Sequence, residues 1–140
     1  MKYLFCLMAL LFTASTLNAQ KVKLKKEVVY IDDVPTFGYQ KKAMGNELYV
    51  YSLNTKDELL HIIVDNNKTE SKVDDGKRIV FAKQNTTIQS KNFRGRDYEF
   101  LLALLLEEKV INLKGEINAD NLKRFKSKFD DGNINHTNRN

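Results

Sequence analysis

The chain is poor in the residues that carry most enzyme and metal chemistry: its 140 residues include one cysteine, one proline, two histidines and no tryptophan. The single cysteine, Cys6, lies inside an apolar N-terminal run. If that run is removed, no disulfide can form in any redox compartment. A structural zinc site needs several Cys, His or carboxylate ligands at set spacings, and His61 and His136 alone do not supply them. No Gly-x-Ser-x-Gly elbow surrounds a serine, which removes the usual signature of an α/β-hydrolase. The lack of tryptophan weakens a sugar-binding groove, although paired carboxylates stand at Asp32-Asp33, Asp74-Asp75, Glu107-Glu108 and Asp130-Asp131. Three of these pairs fall where turns or chain ends are expected, where aspartates serve backbone geometry and solubility.

The N-terminus is distinctive. Lys2 precedes an uncharged stretch from Leu4 through Phe12, and Thr13 to Gln20 turns small and polar before the next charge at Lys21. This is the layout of a cleavable export signal, with Ala19 as the last residue removed and Gln20 as the first retained. The apolar run is shorter than the roughly 20 residues that span a bilayer. Cys6 precedes most of that run, whereas a lipoprotein signal carries its cysteine at the far end. The expected division is therefore a signal at 1–19, one domain at 20–130 and a polar, disordered tail at 131–140. Loss of Lys2 leaves 22 of the 23 basic residues against 18 acidic ones, a net charge of +4. Such a mild bias does not indicate nucleic-acid binding without a recognition element.

Residues 21–91 have strand character. Lys21, Lys23, Lys25 and Lys26 interleave with Val22 and Leu24 as a first strand with lysines on its wet side. Val28 to Ile31 and Val34 to Tyr39 flank Asp32-Asp33 as a hairpin, with Pro35 at a strand start or edge. A four-residue loop, Asn54 to Asp57, would place Tyr51 opposite Leu60 and Val50 opposite His61. Leu48, Val50, Leu59 and Ile63 are then expected on one face, with Tyr49, Tyr51, Leu53, Leu60, Ile62 and Val64 on the other. Both faces are largely apolar, so the pair is expected to be covered on both sides. Tyr49, Tyr51, Leu60 and Ile62 become a candidate face for a partner or a second copy. Residues 66–77 read as a long polar loop or a poor edge strand, with a turn at Asp74-Asp75-Gly76, followed by strands at 78–82 and 86–89.

After Arg96 the period changes to helical. Tyr98, Leu101, Leu102 and Leu105 share a face that Phe100 and Leu104 widen, so the helix is apolar nearly all round and should be buried. Gly115 reads as a helix C-cap and Asn118 as the next N-cap, with Leu122, Phe125 and Phe129 as the stripe of an amphipathic second helix. Gly115 and Ile117 mimic an EF-hand loop, but that alignment puts Val110, Lys114 and Asn121 where calcium ligands belong, and the site fails. Two weak anion signals remain. They are Arg94-Gly95-Arg96 before the first helix and the lysine-rich face of the second, with Lys123, Arg124, Lys126 and Lys128. The three Asn-x-Thr sequons, at Asn67, Asn85 and Asn135, matter only in a eukaryotic secretory route.

Together these patterns indicate an α+β domain, an antiparallel meander of about five or six strands followed by two helices packed on one face. The Asn-Ala-Gln end of the signal, the Val28-Val29-Tyr30-Ile31-Asp32-Asp33 hairpin, Tyr51-Ser52-Leu53, Lys56-Asp57-Glu58-Leu59-Leu60 and Ile117 to Phe129 resemble small exported proteins of Bacteroidota. The resemblance implies a periplasmic or secreted setting and assigns no activity, cofactor or residue role. The expected function is a non-enzymatic binding module acting through a protein partner or self-association, without nucleic acid or a membrane span. The alternative is a small envelope hydrolase or ligand-binding enzyme using His61 with a nearby carboxylate.

Overall fold

The computed structural model describes residues 20–65, Glu70 and 76–131. The signal segment at 1–19, most of the expected 66–77 loop, and the tail at 132–140 with His136 lie outside the described residues, and Gly76 and Lys77 of that loop instead open a strand. Seven strands, one or two more than expected, form a single antiparallel sheet in strict chain order. They are β1 (Val22–Lys25), β2 (Val28–Ile31), β3 (Val34–Lys42), β4 (Glu47–Ser52), β5 (Glu58–Asp65), β6 (Gly76–Phe81) and β7 (Thr86–Ser90). Two helices follow, α1 (Tyr98–Glu107) and α2 (Ala119–Phe129).

The first hairpins are tight. Lys26-Glu27 and Asp32-Asp33 are two-residue turns with positive φ at every position, from 49° to 65°, which matches the right-handed twist of the flanking strands. Side chains reinforce the second turn. Asp32 accepts the Lys21 amide at 2.9 Å, and Asp33 accepts the Lys23 ammonium at 3.0 Å, which holds the Asp33 carboxyl below its usual range. Pro35 sits at the second position of β3, opposite Tyr30 beside a register shift in β2, so the chain places it at a strand start.

The central pair departs from expectation. The β4–β5 loop spans 53–57, five residues rather than four, and a register shift lies between Val50 and Tyr51. Val50 therefore faces Leu60, Tyr49 faces His61, and Tyr51 faces Glu58. A one-residue slip moves an entire strand's side chains to the other face. The candidate set is split by this slip: Leu60 and Ile62 join Leu48 and Val50 at zero exposure, while Tyr49 and Tyr51 are half-buried on the opposite side with His61.

One face of the sheet packs under the helices. Held flat, seven strands would put β1 and β7 about 29 Å apart. Yet α1 runs beside β1, α2 runs beside β7, and residues of all four belong to one core cluster. The sheet therefore curls around that core. Its concave side carries the core, including Val29, Phe37, Ile79, Phe81 and Ile88, against Leu101, Leu105 and Phe125. No described helix covers the convex side, so the expected double cover does not hold among the described residues.

Local chemistry sets the helix ends. Asp97 caps α1 by accepting the Phe100 amide at 2.7 Å, and Asn118 caps α2 by accepting the Asn121 amide at 2.9 Å. Phe100 is 41% exposed, so α1 is buried on three sides rather than all round. The left-handed residue after α1 is Lys109, with φ 57°, rather than the expected Gly115. Gly115 lies farther on, at φ 80°, where an added Cβ would stand 3.1 Å from Leu59 Cδ1. Gly115→Ala is expected to lose about 1–2 kcal/mol of stability from the left-handed backbone alone. The urea midpoint measures it, and an unchanged midpoint would mean the loop relaxes freely.

The chain's last described turn protects an edge. Asp130 accepts the Gln89 amide at 3.0 Å and Asp131 accepts the Lys91 amide at 2.6 Å, so both carboxylates cap outward groups of β7 and the residue just after it. The packed domain therefore includes Asp131, one residue past its expected boundary.

Candidate functional site

The meander divides the turns between two ends of the curled sheet. One end, here the groove end, gathers the β2–β3, β4–β5 and β6–β7 turns with the α1–α2 loop. The other, the far end, gathers the β1–β2 and β3–β4 turns with the β7–α1 segment.

His61 stands on the convex face between Tyr49 and Val80 of the neighbouring strands. Its Nδ1 lies 2.5 Å from Glu58 Oε1, and its ring stacks on Tyr49 with centroids 4.8 Å apart. The Tyr49 hydroxyl donates to Glu47 Oε2 at 3.1 Å, and the Lys42 ammonium lies 4.3 Å from the Tyr49 ring centroid. Desolvation, then the Glu47 carboxylate, raises the Tyr49 pKa, so this phenol stays protonated at neutral pH. A carboxylate does accompany His61, as the enzyme alternative requires. Of its two cross-strand neighbours, Val80 has no nucleophilic group and Tyr49 has a phenol already engaged by Glu47. Among the described residues no three His, Cys, Asp or Glu side chains cluster as metal ligands.

The other sequence candidates are absorbed into the fold. Arg96 stacks over Phe100 at 4.5 Å, and Asp97 occupies the α1 N-terminus where an anion would sit. On α2, Lys128 pairs with Glu108 at 2.6 Å, and the apolar stripe is docked: Phe125 and Phe129 pack around Phe93. Lys123 and Arg124 are exposed. No described helix is long and apolar enough to cross a membrane.

Five large apolar side chains are exposed among the described residues, and three of them gather at the groove end: Val34 (60%), Leu53 (41%) and Leu113 (53%). They rim an open groove of about 670 Å³ floored by Ile31 and Phe37. Thr36, Asn54 and Lys114 add polar groups at its margin. Each rim residue stands alone beside turn residues in the sequence, as Asp33-Val34-Pro35, Leu53-Asn54 and Leu113-Lys114-Gly115. In the sequence Val34 reads as a strand start and Leu53 and Leu113 stand beside turns, and three distant segments must fold together before they become a patch.

Compared with known protein families, curated proteins and solved structures, the chain matches none.

Proposed function

We propose that the chain is an exported, non-enzymatic binding module of the periplasm or cell exterior that takes an apolar segment of a protein partner into the groove at the groove end. The convergence of Val34, Leu53 and Leu113 on one groove carries the reading. Its volume lies within the range of ligand pockets, about 300–1,000 Å³, and exposed apolar side chains of monomers more usually scatter singly. Export rests on the segment from Lys2 to Ala19 and on the resemblance to exported Bacteroidota proteins. A photo-crosslinker placed at Leu113 in envelope-localised protein is expected to trap one adduct of discrete mass, lost in a Val34→Asp, Leu53→Asp variant that keeps its circular dichroism. The same material should begin at Gln20 or within two residues of it. No adduct at any concentration would refute the groove, and an adduct of twice the chain mass would make the partner a second copy.

The short His61–Glu58 contact favours a second reading, a small hydrolase or ligand-binding enzyme. Under the binding-module reading, His61→Gln removes a stacked ring and one polar contact. It is expected to lower stability by about 1 kcal/mol while leaving crosslinking intact. Loss of a measurable turnover in a fully folded His61→Gln protein would reverse the choice.

A further inference from the structure

The convex face of the sheet has no described helix over it, and the register fixes which side chains it carries. Alternation puts Glu47 and Tyr49 of β4, His61 and Ile63 of β5, and Arg78 and Val80 of β6 on this side. All six are half-buried. They form two rows across the strands, Glu47–Ile63–Arg78 and Tyr49–His61–Val80. In the first row a carboxylate and a guanidinium stand one strand to either side of an isoleucine. In the second, a tyrosine and a valine flank the histidine. Both rows run out to polar margins, with Lys42 beside Glu47 and Gln89 beside Arg78, then Gln40 beside Tyr49 and Thr87 beside Val80.

Charges of both signs share this face. Lys42 lies over the Tyr49 ring, Glu58 contacts His61, and Asp65 ends β5 at the margin. Glu47 accepts the Tyr49 hydroxyl through Oε2 and keeps its charge. Arg78 pairs with no carboxylate among the described residues, and its Nε is buried without an acceptor. A buried donor without a partner is costly, so the guanidinium gains by turning toward an incoming carboxylate. We propose that the convex face pairs with the same face of a second copy, about a two-fold axis that runs along β5 between the two sheets. Rotation about that axis carries β4 of one copy over β6 of the other and sets each row against itself. Glu47 of each chain then meets Arg78 of the other, Tyr49 covers Val80, and Ile63 meets Ile63. An axis across the strands would instead set Glu47 against Glu47 and Arg78 against Arg78, so the row pattern selects the first. Aligned sheets pack about 10 Å apart at about 30°, within reach of these long side chains. Because the sheet curls, contact is confined to about three strands, and an interface at the low end of the size range gives a weak, concentration-dependent dimer. The pairing leaves the groove open and does not depend on the function proposed for it.

Sedimentation velocity over a concentration series tests the proposal, using the chain from Gln20 onward, which contains every residue of the described core. A reversible monomer–dimer equilibrium is expected. Glu47→Arg and Arg78→Glu each set like charges together at both contacts and should weaken the dimer at least about 100-fold, with circular dichroism unchanged. Mixing these two variants should restore a dimer, because every contact between them again joins opposite signs. The chain carrying both substitutions should dimerise with itself for the same reason. Val34→Asp with Leu53→Asp should leave the equilibrium unchanged, and loss there with retention in Glu47→Arg would move association to the groove and overturn the proposal. A chain that stays monomeric at millimolar concentration would overturn it too, as would two folded single variants that do not associate when mixed. Where a reversal unfolds the chain, Arg78→Gln removes only the charge and should weaken the dimer about tenfold or more. An unchanged equilibrium in that variant would overturn the pairing of Arg78 with Glu47.

Discussion

Leu60→Asp is expected to abolish folding, whereas Tyr51→Asp is expected to leave a folded sheet. Leu60 has no exposed surface and lies opposite Val50 within the concave core. A carboxylate there would have no described cationic partner, and burying an unpaired charge costs several kcal/mol, comparable with the roughly 5–15 kcal/mol that holds a small domain together. Tyr51 is half-buried on the convex side opposite Glu58. Aspartate at that position reaches water, and its main penalty is repulsion from Glu58 across the strands, on the order of 1 kcal/mol. Circular dichroism and sedimentation velocity on the two variants should give one expanded chain and one compact domain. A compact Leu60→Asp beside an unfolded Tyr51→Asp would restore the register in which Tyr51 and Leu60 share a face. Tyr51 stands at the groove end of β4 but is not among the residues that line the groove, so its aspartate variant should still crosslink through Leu113.

The fold was largely legible in the sequence because alternation, turn chemistry and helical period agreed with one another. Asp32-Asp33 marked a hairpin, Asn118 marked a helix start, and Leu122, Phe125 and Phe129 marked the docked stripe. What escaped was register. Asn54 to Asp57 looked like a complete loop, but Leu53 joined it, and a β-bulge at Val50/Tyr51 carried the slip into the ladder. Since Tyr49, Tyr51, Leu60 and Ile62 are all apolar or aromatic, hydrophobic patterning did not penalise the wrong alignment. Polar residues alternating in β5 would have fixed it.

The candidate site was less legible for a different reason. His61 could be singled out as the one histidine in a strand, and a strand reading could not say that Glu58, three residues earlier, would reach it across the β-bulge. The groove depends on which turns share an end of a seven-strand meander. That follows from strand count and connectivity, and an expected count of five or six left the parity of the ends open. With seven strands, β7 delivers the chain to the same end as the β3–β4 turn, and α1 therefore begins beside Met44.

The same parity explains why Phe93, which carried no signal in the sequence, should be among the costliest residues to truncate. It sits in the 3-10 turn Lys91–Phe93 that leads from β7 toward α1, and only 1% of its surface is exposed. The turn is held by Ser90, whose hydroxyl accepts the Asn92 amide at 3.2 Å, and this presents the ring inward. There it meets both aromatic residues of α2, with centroids 6.3 Å from Phe125 and 5.9 Å from Phe129, and those two lie 4.6 Å from each other. The three rings seal the seam where α2 closes against β7. Phe93→Ala is expected to lose about 3–5 kcal/mol, combining lost burial with a cavity that a curled sheet cannot collapse to fill. Phe129 is only partly buried, so Phe129→Ala should lose less. The double variant should fall short of the sum by about 0.5–1.5 kcal/mol, the coupling of an aromatic pair. Urea unfolding of the three proteins measures all of these terms. Strict additivity, or a Phe93→Ala loss below that of Phe129→Ala, would mean that the rings are neighbours without sealing the seam.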